Sequence, residues 1–259
     1  MRANPIRERL RSGAPTLGTR VMIPDPAIVE TIGHTGLFDY VEFLAEYNAF
    51  TLHDLDNLAR AAELSGMGCL IKVDLEQNRY VAQRAVGSGF SGAVFADVRT
   101  REDVDHAVLS LRPDTPAHGG AYGSIARRNA RLSAGGGEEY VAAIADQVVG
   151  IMVEKPEIVD VLEEALSAGG IDFVQWGPSD FAMSSGLGPA AVRDVEKHVF
   201  EVCAAAGVPF RAELDDLASM PAHLDRGVRH FSIGIDLMII RDQLTRLGTG
   251  VRAAWEAVS

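Results

Sequence analysis

Two carboxylates in the second half of the chain have the spacing of a divalent-cation site. Glu154 follows the apolar run 148–153, and Asp180 follows the run 173–176 through the residues Gly-Pro-Ser-Asp. A short apolar run between turn-forming residues is typical of a buried parallel strand, so each acid lies where a strand ends. Two acids at neighbouring strand ends repel each other unless a cation or a shared proton lies between them. The pattern therefore predicts a metal site at Glu154 and Asp180; the alternative is that each carboxylate only caps the helix that follows.

The ligand type indicates which metal such a site would bind. Two carboxylates, completed by oxygen atoms of a substrate and of water, suit Mg²⁺ or Mn²⁺ better than zinc. The seven histidines of the chain show neither H-x-x-x-H nor H-x-x-E-H spacing, so no zinc motif competes with this interpretation.

The rest of the chain alternates short apolar runs with amphipathic segments, which predicts the elements that position these acids. The predicted strands are 16–23, 38–44, 68–73, 92–96, 148–153, 171–176, 208–212 and 229–234. The predicted helices are 26–33, 52–64, 77–86, 101–111, 157–167, 189–206, 214–224 and 237–247, after a surface helix within residues 1–16. Strand–helix units of roughly 30 residues favour a closed parallel (β/α)8 TIM barrel. An open doubly wound sheet is the alternative, although no Gly-x-Gly-x-x-Gly opens an early helix.

No linker or change in composition divides the chain, so we expect a single domain over residues 1–259. The alternation weakens between residues 113 and 137, which are rich in Gly, Pro and Arg. Long segments without periodicity inside a compact domain are usually functional or mobile. We therefore expect a loop near the active face; a plain surface excursion is the alternative for its second half. A short strand within 113–118 is a condition of counting about eight strand–helix units. His118, Arg127 and Arg128 are the loop's candidates to contact a second anionic group; solvated loop charge is the alternative.

The composition excludes some classes of partner. The chain has 259 residues, 47% of them hydrophobic, and a formal net charge of -12, which argues against nucleic acid and anionic membranes. No apolar run approaches the ~20 residues of a membrane helix, and the first ten residues lack the apolar core of a secretory signal. Cys69 and Cys203 lie far apart among apolar or small residues, which favours two buried thiols in a reducing cytoplasm. We expect a cytoplasmic protein that acts on a small molecule.

Three segments of the chain have a distinctive order and spacing: Phe-Asp-Tyr-Val-Glu-Phe-Leu-Ala-Glu-Tyr at 38–47, Met-Val-Glu at 152–154 and Val-Gln-Trp-Gly-Pro-Ser-Asp-Phe at 174–181. They resemble the signature segments of the HpcH/HpaI aldolase family. These aldolases are metal-dependent (class II) pyruvate aldolases related to citrate-lyase β subunits, and the likeness extends from about Gly18 to Leu247. The resemblance implies a (β/α)8 barrel in a homo-oligomer, a hexamer or trimer, often with swapped C-terminal helices.

The resemblance also implies a site. Glu154 and Asp180 would hold Mg²⁺, Mn²⁺ or a similar ion. Gly177, Pro178 and Ser179 would bind the substrate, since the backbone N–H groups of this turn face the carboxylate of a 2-oxo acid in the family.

Three positions depart from the family pattern. Family members carry an Asp-Gly-Glu-His run whose histidine moves a proton; here the run is Leu-Ala-Glu-Tyr at 44–47, so Tyr47 takes the place of that histidine. Lys72 replaces an arginine that holds the enolate oxygen, and Met152 replaces a glutamine. The metal and carboxylate sites are retained, whereas the acid/base dyad of the family is absent.

Three residues are the candidates for catalysis. Lys72 can place a positive charge beside an enolate or form a Schiff base; the alternative is a salt-bridged or solvated lysine. Tyr47, with an ordinary pKa of about 10, needs a nearby cation to act as a base, and it can also donate a hydrogen bond or only pack. Glu46 can hold a metal-bound water. His53 and Asp97 are further candidates, with a helix-surface position and a helix cap as the respective alternatives.

The expected function is that of a metal-dependent carbon–carbon lyase, an aldehyde-lyase of the pyruvate-aldolase type. It would act on a 4-hydroxy-2-oxo acid through a metal-bound pyruvate enolate, which the cation stabilises as a Lewis acid. One alternative is an enzyme that condenses or decarboxylates by way of an oxaloacetate-derived enolate. The other is a protein that binds 2-oxo acids without catalysis.

Overall fold

The computed structural model describes residues 3–124, 137–214 and 216–258. Its strands are Thr16–Val21 (β1), Tyr40–Leu44 (β2), Gly68–Val73 (β3), Gly92–Phe95 (β4), Val148–Val153 (β5), Phe173–Trp176 (β6), Phe210–Leu214 (β7) and His230–Ile235 (β8). Each strand pairs in parallel with the next, and β8 pairs with β1, so the sheet is a closed barrel. The predicted single-domain (β/α)8 barrel is confirmed.

Helices connect the strands on the outside of the barrel. The helices of the described part are Pro5–Ser12 (α1), Pro26–His34 (α2), Leu52–Leu64 (α3), Asn78–Ser88 (α4), Arg101–Ser110 (α5), Glu138–Ala145 (α6), Pro156–Ser167 (α7), Pro178–Ser185 (α8), Pro189–Ala206 (α9), Met220–Asp225 (α10) and Asp236–Glu256 (α11). Local chemistry explains several starts: Thr51 and Thr100 each form a capping box with an aspartate three residues later. None of the helices described is long and apolar enough to cross a membrane.

Alternating side chains separate two layers of the core. Outward-facing residues of the strands, among them Val41, Phe43 and Ile151, pack against the helices. The inward face is apolar on one side, where Leu70 and Val94 meet. On the other side it carries buried charged and polar groups: Arg20, Glu42, Gln175, Arg211, Glu213 and Ser232. The interior of a TIM barrel is ordinarily filled by branched apolar side chains, so this polar side is a distinctive feature of the chain.

Helix α1 closes the amino-terminal end of the barrel. Ile6 packs inside against Tyr40 and Phe173. Asn4 donates to the carbonyl of Ser91 at 2.6 Å, just ahead of β4, and the Arg7 guanidinium contacts the carboxylate of Asp172 ahead of β6. The predicted surface helix within residues 1–16 is therefore wrong in its placement, because α1 buries its apolar face as the floor of the barrel.

Two further predictions need correction. Residues 113–118 form no barrel strand; Pro113 makes only an isolated bridge with Tyr122. The described part of the irregular segment packs on the end of α5, beside Arg112, whose guanidinium donates to the carbonyl of Gln147 ahead of β5 at 2.8 Å. This part lies at the amino-terminal end and not near the active face, because α5 runs back from the carboxyl ends of the strands. Residues 125–136, with Arg127 and Arg128, lie outside the described residues.

The seventh unit also differs from its prediction. The helix predicted from residue 214 begins at Met220, and β7 continues to Leu214. The cause is that Arg211 and Glu213 point into the barrel, so a strand with two charged residues lacks the apolar signal of its neighbours. Cys69 and Cys203 are buried and free, as predicted.

Candidate active site

The carboxylate of Glu154 lies at the centre of the carboxyl-terminal rim, which we define by the residues after β2, β4, β5 and β6: Glu46, Asp97, Glu154 and Gly177. Glu154 directly follows β5 and is 1% exposed. The backbone N–H of Asp97 donates to its Oε1 at 2.7 Å. Its Oε2 is buried, and it has no hydrogen-bond partner among the residues described. A buried carboxylate oxygen without a donor is costly unless a ligand completes it.

Three carboxylates meet at this rim. One oxygen each of Glu46, Asp97 and Glu154 lies within 4.8 Å of the other two, and we call this set the three-acid cluster. Asp97 holds a φ of 56°, an uncommon conformation for a residue with a side chain. This conformation places the Asp97 N–H on Glu154 while its side chain joins the cluster.

Two lysines balance part of this negative charge. Lys72 Nζ lies 2.5 Å from Glu46 Oε2 and 4.0 Å from Glu154 Oε2. Lys155 Nζ lies 2.6 Å from Asp97 Oδ1. Burial alone would lower the pKa of Lys72, but the charges of Glu154 and Glu46 outweigh it and raise that pKa above its ordinary value. Lys72 is therefore an ammonium group, which opposes the Schiff-base alternative because that reaction needs the neutral amine.

The raised pKa of Glu154 shows that burial of its negative charge is unfavourable. Burial raises the pKa of its carboxyl to about 7, although Lys72 and the Asp97 N–H favour the charged form. The charges of Glu46 and Asp180 contribute to the increase. A carboxyl with a strongly raised pKa in a cleft is typical of functional sites.

Asp180 lies in the first turn of α8, on the same side of the barrel. Its charge affects the pKa of both Glu154 and Lys155, but it is not one of the three acids of the cluster. Gly177 brings α8 close to Glu154: a Cβ at this glycine would lie 2.5 Å from Met152 Cε and 3.0 Å from Glu154 Cβ. The shared metal site of Glu154 and Asp180 stays a prediction.

The other predicted residues are placed as follows. Tyr47 is 83% exposed, and the negative charge of Glu46, with smaller effects of burial and of Asp97, raises the pKa of its phenol. In the metal-free protein this field opposes its action as a base. Pro178 and Ser179 are exposed in the first turn of α8, whereas His53 and His118 lie exposed on the surface.

Two cavities lined by described residues differ in their relation to the candidate site. A cavity of about 670 Å³ opens between α1, α3 and α4 at the amino-terminal end, beside Asn4 and Phe90. A smaller cleft of about 230 Å³ lies between the ends of β2 and β3, lined by Ala45, Val73 and Asp74. Of these two, the smaller cleft adjoins residues of the candidate site, since Ala45 and Val73 are the chain neighbours of Glu46 and Lys72.

Beneath the rim lies a buried ionic network that sequence reasoning missed. Arg20 Nη1 lies 2.5 Å from Glu213 Oε2, and Gln175 donates to the other oxygen of Glu213. The guanidinium of Arg211 contacts the carboxylate of Glu42. The signal was a charge in the middle of an otherwise apolar strand, which places an ionisable group inside a barrel.

Comparisons with known proteins agree with this fold. No protein-family profile matches the chain. A hydroxypyruvate/pyruvate aldolase of Paraburkholderia phytofirmans is 24% identical over 243 residues, which are 91% of this chain and 92% of that protein. A 2-keto-3-deoxy-L-rhamnonate aldolase of Escherichia coli K12 is 26% identical over 251 residues, 93% of this chain and 91% of that protein.

Solved structures show the same barrel. An HpcH/HpaI aldolase of Desulfitobacterium hafniense superposes with a TM-score of 0.84 at 21% identity, over 96% of both chains. A citrate synthase superposes with the same TM-score, 0.84, at 24% identity, over 98% of this chain and 99% of that one. The curated relatives named here are aldolases, and an HpcH/HpaI aldolase shares the fold of this chain. By class this chain is an enzyme, an aldolase of the carbon–carbon lyase type.

Proposed function

We propose that this chain is a divalent-cation-dependent pyruvate-type aldolase that cleaves or forms a 4-hydroxy-2-oxo acid. The observation that carries the proposal is the buried Oε2 of Glu154, which has no hydrogen-bond partner among the described residues and belongs to a carboxylate of the three-acid cluster. The curated relatives named above act as pyruvate-type and keto-deoxy-sugar-acid aldolases, which supports this substrate class.

The residues of the rim fit a divalent cation. Glu46, Asp97, Glu154 and Asp180 carry four formal negative charges, and Lys72 and Lys155 carry two positive ones, so two negative charges stay uncompensated. All donors are carboxylate oxygens, which suit Mg²⁺ or Mn²⁺. When bound, such a cation withdraws electrons from a ketone and lowers the energy of the enolate that forms during carbon–carbon cleavage.

Helix α8 is suited to orient the substrate carboxylate. No side chain caps its start, and Pro178 in the first turn has no N–H. The N–H groups of Ser179 and Asp180 lack acceptors within the helix and carry the positive end of its dipole, an arrangement that binds carboxylates. Gly177 lets this turn approach Glu154, so a 2-oxo acid bound here would place its ketone near the cation ligands.

Lys72 is the candidate to stabilise negative charge on the substrate oxygen. Its Nζ lies 4.0 Å from Glu154, and Glu46 fixes its position. Tyr47 lies at the mouth of the site, where its neutral phenol can donate a proton or a hydrogen bond to the hydroxyl that forms from the aldehyde. In this arrangement Glu46 positions Lys72, and Lys72 and Tyr47 contact the substrate.

The test measures whether the chain labilises the methyl protons of pyruvate. With Mg²⁺ or Mn²⁺, we expect exchange of these protons into deuterated water and cleavage of a 4-hydroxy-2-oxo acid to pyruvate and an aldehyde. Glu154→Gln should lower both rates at least ~100-fold, because the central cation ligand and its charge are lost. Circular dichroism of this variant checks that the barrel is intact.

Three outcomes contradict the proposal. Full activity in thoroughly demetallated protein would show that the cation has no role in the reaction. Oxaloacetate consumption much faster than aldol cleavage would favour a condensing or decarboxylating enzyme. Tight pyruvate binding without any proton exchange would favour a protein that binds 2-oxo acids without turning them over.

We further propose that the chain forms a homo-oligomer, a trimer or hexamer, through α11. Apolar side chains of this helix are about half exposed, among them Leu237, Ile239, Leu244, Leu247 and Trp255. Burial of such a surface is favourable by roughly 25 cal/mol per Å². Light scattering should give a multiple of the 27.7 kDa chain mass. The double substitution Leu244→Glu/Leu247→Glu should lower this mass, whereas Thr249→Glu should not.

A further inference from the structure

The side chain of Asp97 has no role in the pair of metal ligands proposed above, yet it lies in the three-acid cluster. Its carboxylate approaches those of Glu46 and Glu154 to within 4.8 Å. Its backbone N–H already holds Glu154 Oε1. The same residue thus orients Glu154 through its backbone and adds a second carboxylate through its side chain.

A second observation points to a ligand at this cluster. Glu154 Oε2 is buried and has no partner in the described part of the chain, while Oε1 is bonded. The nearest cation among the ion pairs of Glu154 is Lys72, whose Nζ lies 4.0 Å away and is engaged at 2.5 Å by Glu46. Each of the two outer acids therefore has a lysine, and the buried central acid has none in direct contact.

We propose that Asp97 is a cation ligand together with Glu154 and the predicted ligand Asp180, and that Lys155 is an internal counter-cation that moves off Asp97 when the metal binds. The inference rests on the cation dependence in the proposed function and specifies which groups create it. Three carboxylates supply enough oxygen ligands for Mn²⁺ or Mg²⁺, with substrate and water completing the shell.

The direction in which metal affinity changes when Lys155 is replaced tests the proposal. An ammonium group 2.6 Å from Asp97 competes with a metal for the same carboxylate. Removal of Lys155 should therefore tighten metal binding, since two charges at about 4 Å interact measurably even in water. A purely structural salt bridge between Lys155 and Asp97 predicts the opposite or no change, because its loss would only loosen the rim.

The experiment titrates the full chain with Mn²⁺ alone and measures free Mn²⁺ by electron paramagnetic resonance. We expect Asp97→Asn to weaken binding about tenfold or more. We expect Lys155→Met to tighten it about fivefold. Glu76→Gln, which removes an exposed acid of the neighbouring loop outside the cluster, should leave the affinity within roughly twofold of wild type and controls for net charge.

Unchanged Mn²⁺ affinity in Asp97→Asn, or unchanged or weaker affinity in Lys155→Met, overturns the inference. Thermal melts of the metal-free variants identify misfolding, and Lys155→Met tests the proposal independently if Asp97→Asn fails to fold. The measurement contains no substrate, so its outcome is separate from the aldolase assay. Asp97-dependent Mn²⁺ binding without turnover would reject the proposed function alone, whereas metal-dependent turnover with normal Mn²⁺ binding by Asp97→Asn would reject this inference alone.

Discussion

The backbone N–H of Asp97 donates a 2.7 Å hydrogen bond to Oε1 of Glu154 and so joins the exits of β4 and β5. The bond fixes one carboxylate oxygen, while the other has no hydrogen-bond partner among the described residues. It is also a donor that the sequence cannot show, because it depends on a φ of 56° at a residue that is not glycine. The geometry of the candidate site therefore depends on one backbone conformation.

Cation binding should depend on pH through Glu154. Burial raises the pKa of this carboxyl from 4.5 to about 7, so near neutral pH a metal ion displaces a proton. We expect Mn²⁺ affinity to increase up to about pH 7 and to level off above it. Calorimetry in buffers of different ionisation enthalpy should show proton release on binding.

The raised pKa of Glu154 also makes the metal-free protein less stable as the pH rises. The folded-state pKa of Glu154 lies above its ordinary value. The contribution of this carboxyl to the free energy of unfolding is therefore fully present below about pH 4.5 and is lost as the pH rises to about 7. Glu154→Gln should remove this loss in the metal-free protein. Equal pH profiles of wild type and variant would show that Glu154 has the same pKa in the folded and unfolded states.

Gly177→Ala should disturb both packing and the site. The added methyl group would lie 2.5 Å from Met152 Cε and 3.0 Å from Glu154 Cβ, closer than packed atoms approach. We expect a loss of about 1–3 kcal/mol in the free energy of unfolding, measured with urea, and weaker Mn²⁺ binding. Gly188→Ala is the matched control, since its Cβ would meet nothing within 4 Å; it should change stability by less than about 0.5 kcal/mol.

Replacement of only one partner of the buried ion pair Arg211–Glu42 should lower the free energy of unfolding. Arg211 is 2% exposed, contacts the Glu42 carboxylate and stacks 4.5 Å from the Phe173 ring. Arg211→Met leaves an unpaired buried carboxylate and should cost about 3–5 kcal/mol in urea unfolding. Glu42→Leu/Arg211→Met should cost much less, and equal losses in the single and double variants would contradict this account.

His230 should make the protein less stable in mild acid. Burial, helped by Arg211 and Arg229, lowers the pKa of its imidazole to about 4 from 6.5. This contribution to stability is complete above about pH 6.5 and is lost as the pH falls towards about 4, by at most roughly 3 kcal/mol. Urea unfolding of wild type and His230→Gln across this range isolates the histidine, because Glu154 contributes equally to both.

Residue patterns predicted much of the barrel and part of the site. The strands before Glu154 and Asp180 were predictable because apolar runs between turn residues are strong local signals. Glu46 and Lys72, named as separate candidates, form an ion pair at 2.5 Å. Their pairing depends on adjacent strands of a closed barrel, which brings together residues that are distant in sequence.

Other features were beyond local patterns. Helix α8 was not predicted because Gly177 and Pro178 resemble a turn, although proline is well suited to the first turn of a helix. The charges inside β7 weakened its strand signal and moved the predicted helix forward. The pairing of Lys155 with Asp97 depends on the conformation of Asp97, for which the sequence carries no marker.

Because α1 closes one end of the barrel, it affects how ions and substrates reach the acids. Ile6 and Leu10 fill the end that is distant from Glu154, so in the described part of the chain the acids are accessible from the carboxyl-terminal rim and not from this end. Ions and substrates therefore enter, and products leave, through the same rim. A compound that binds at this rim would block cation and substrate binding and product release together.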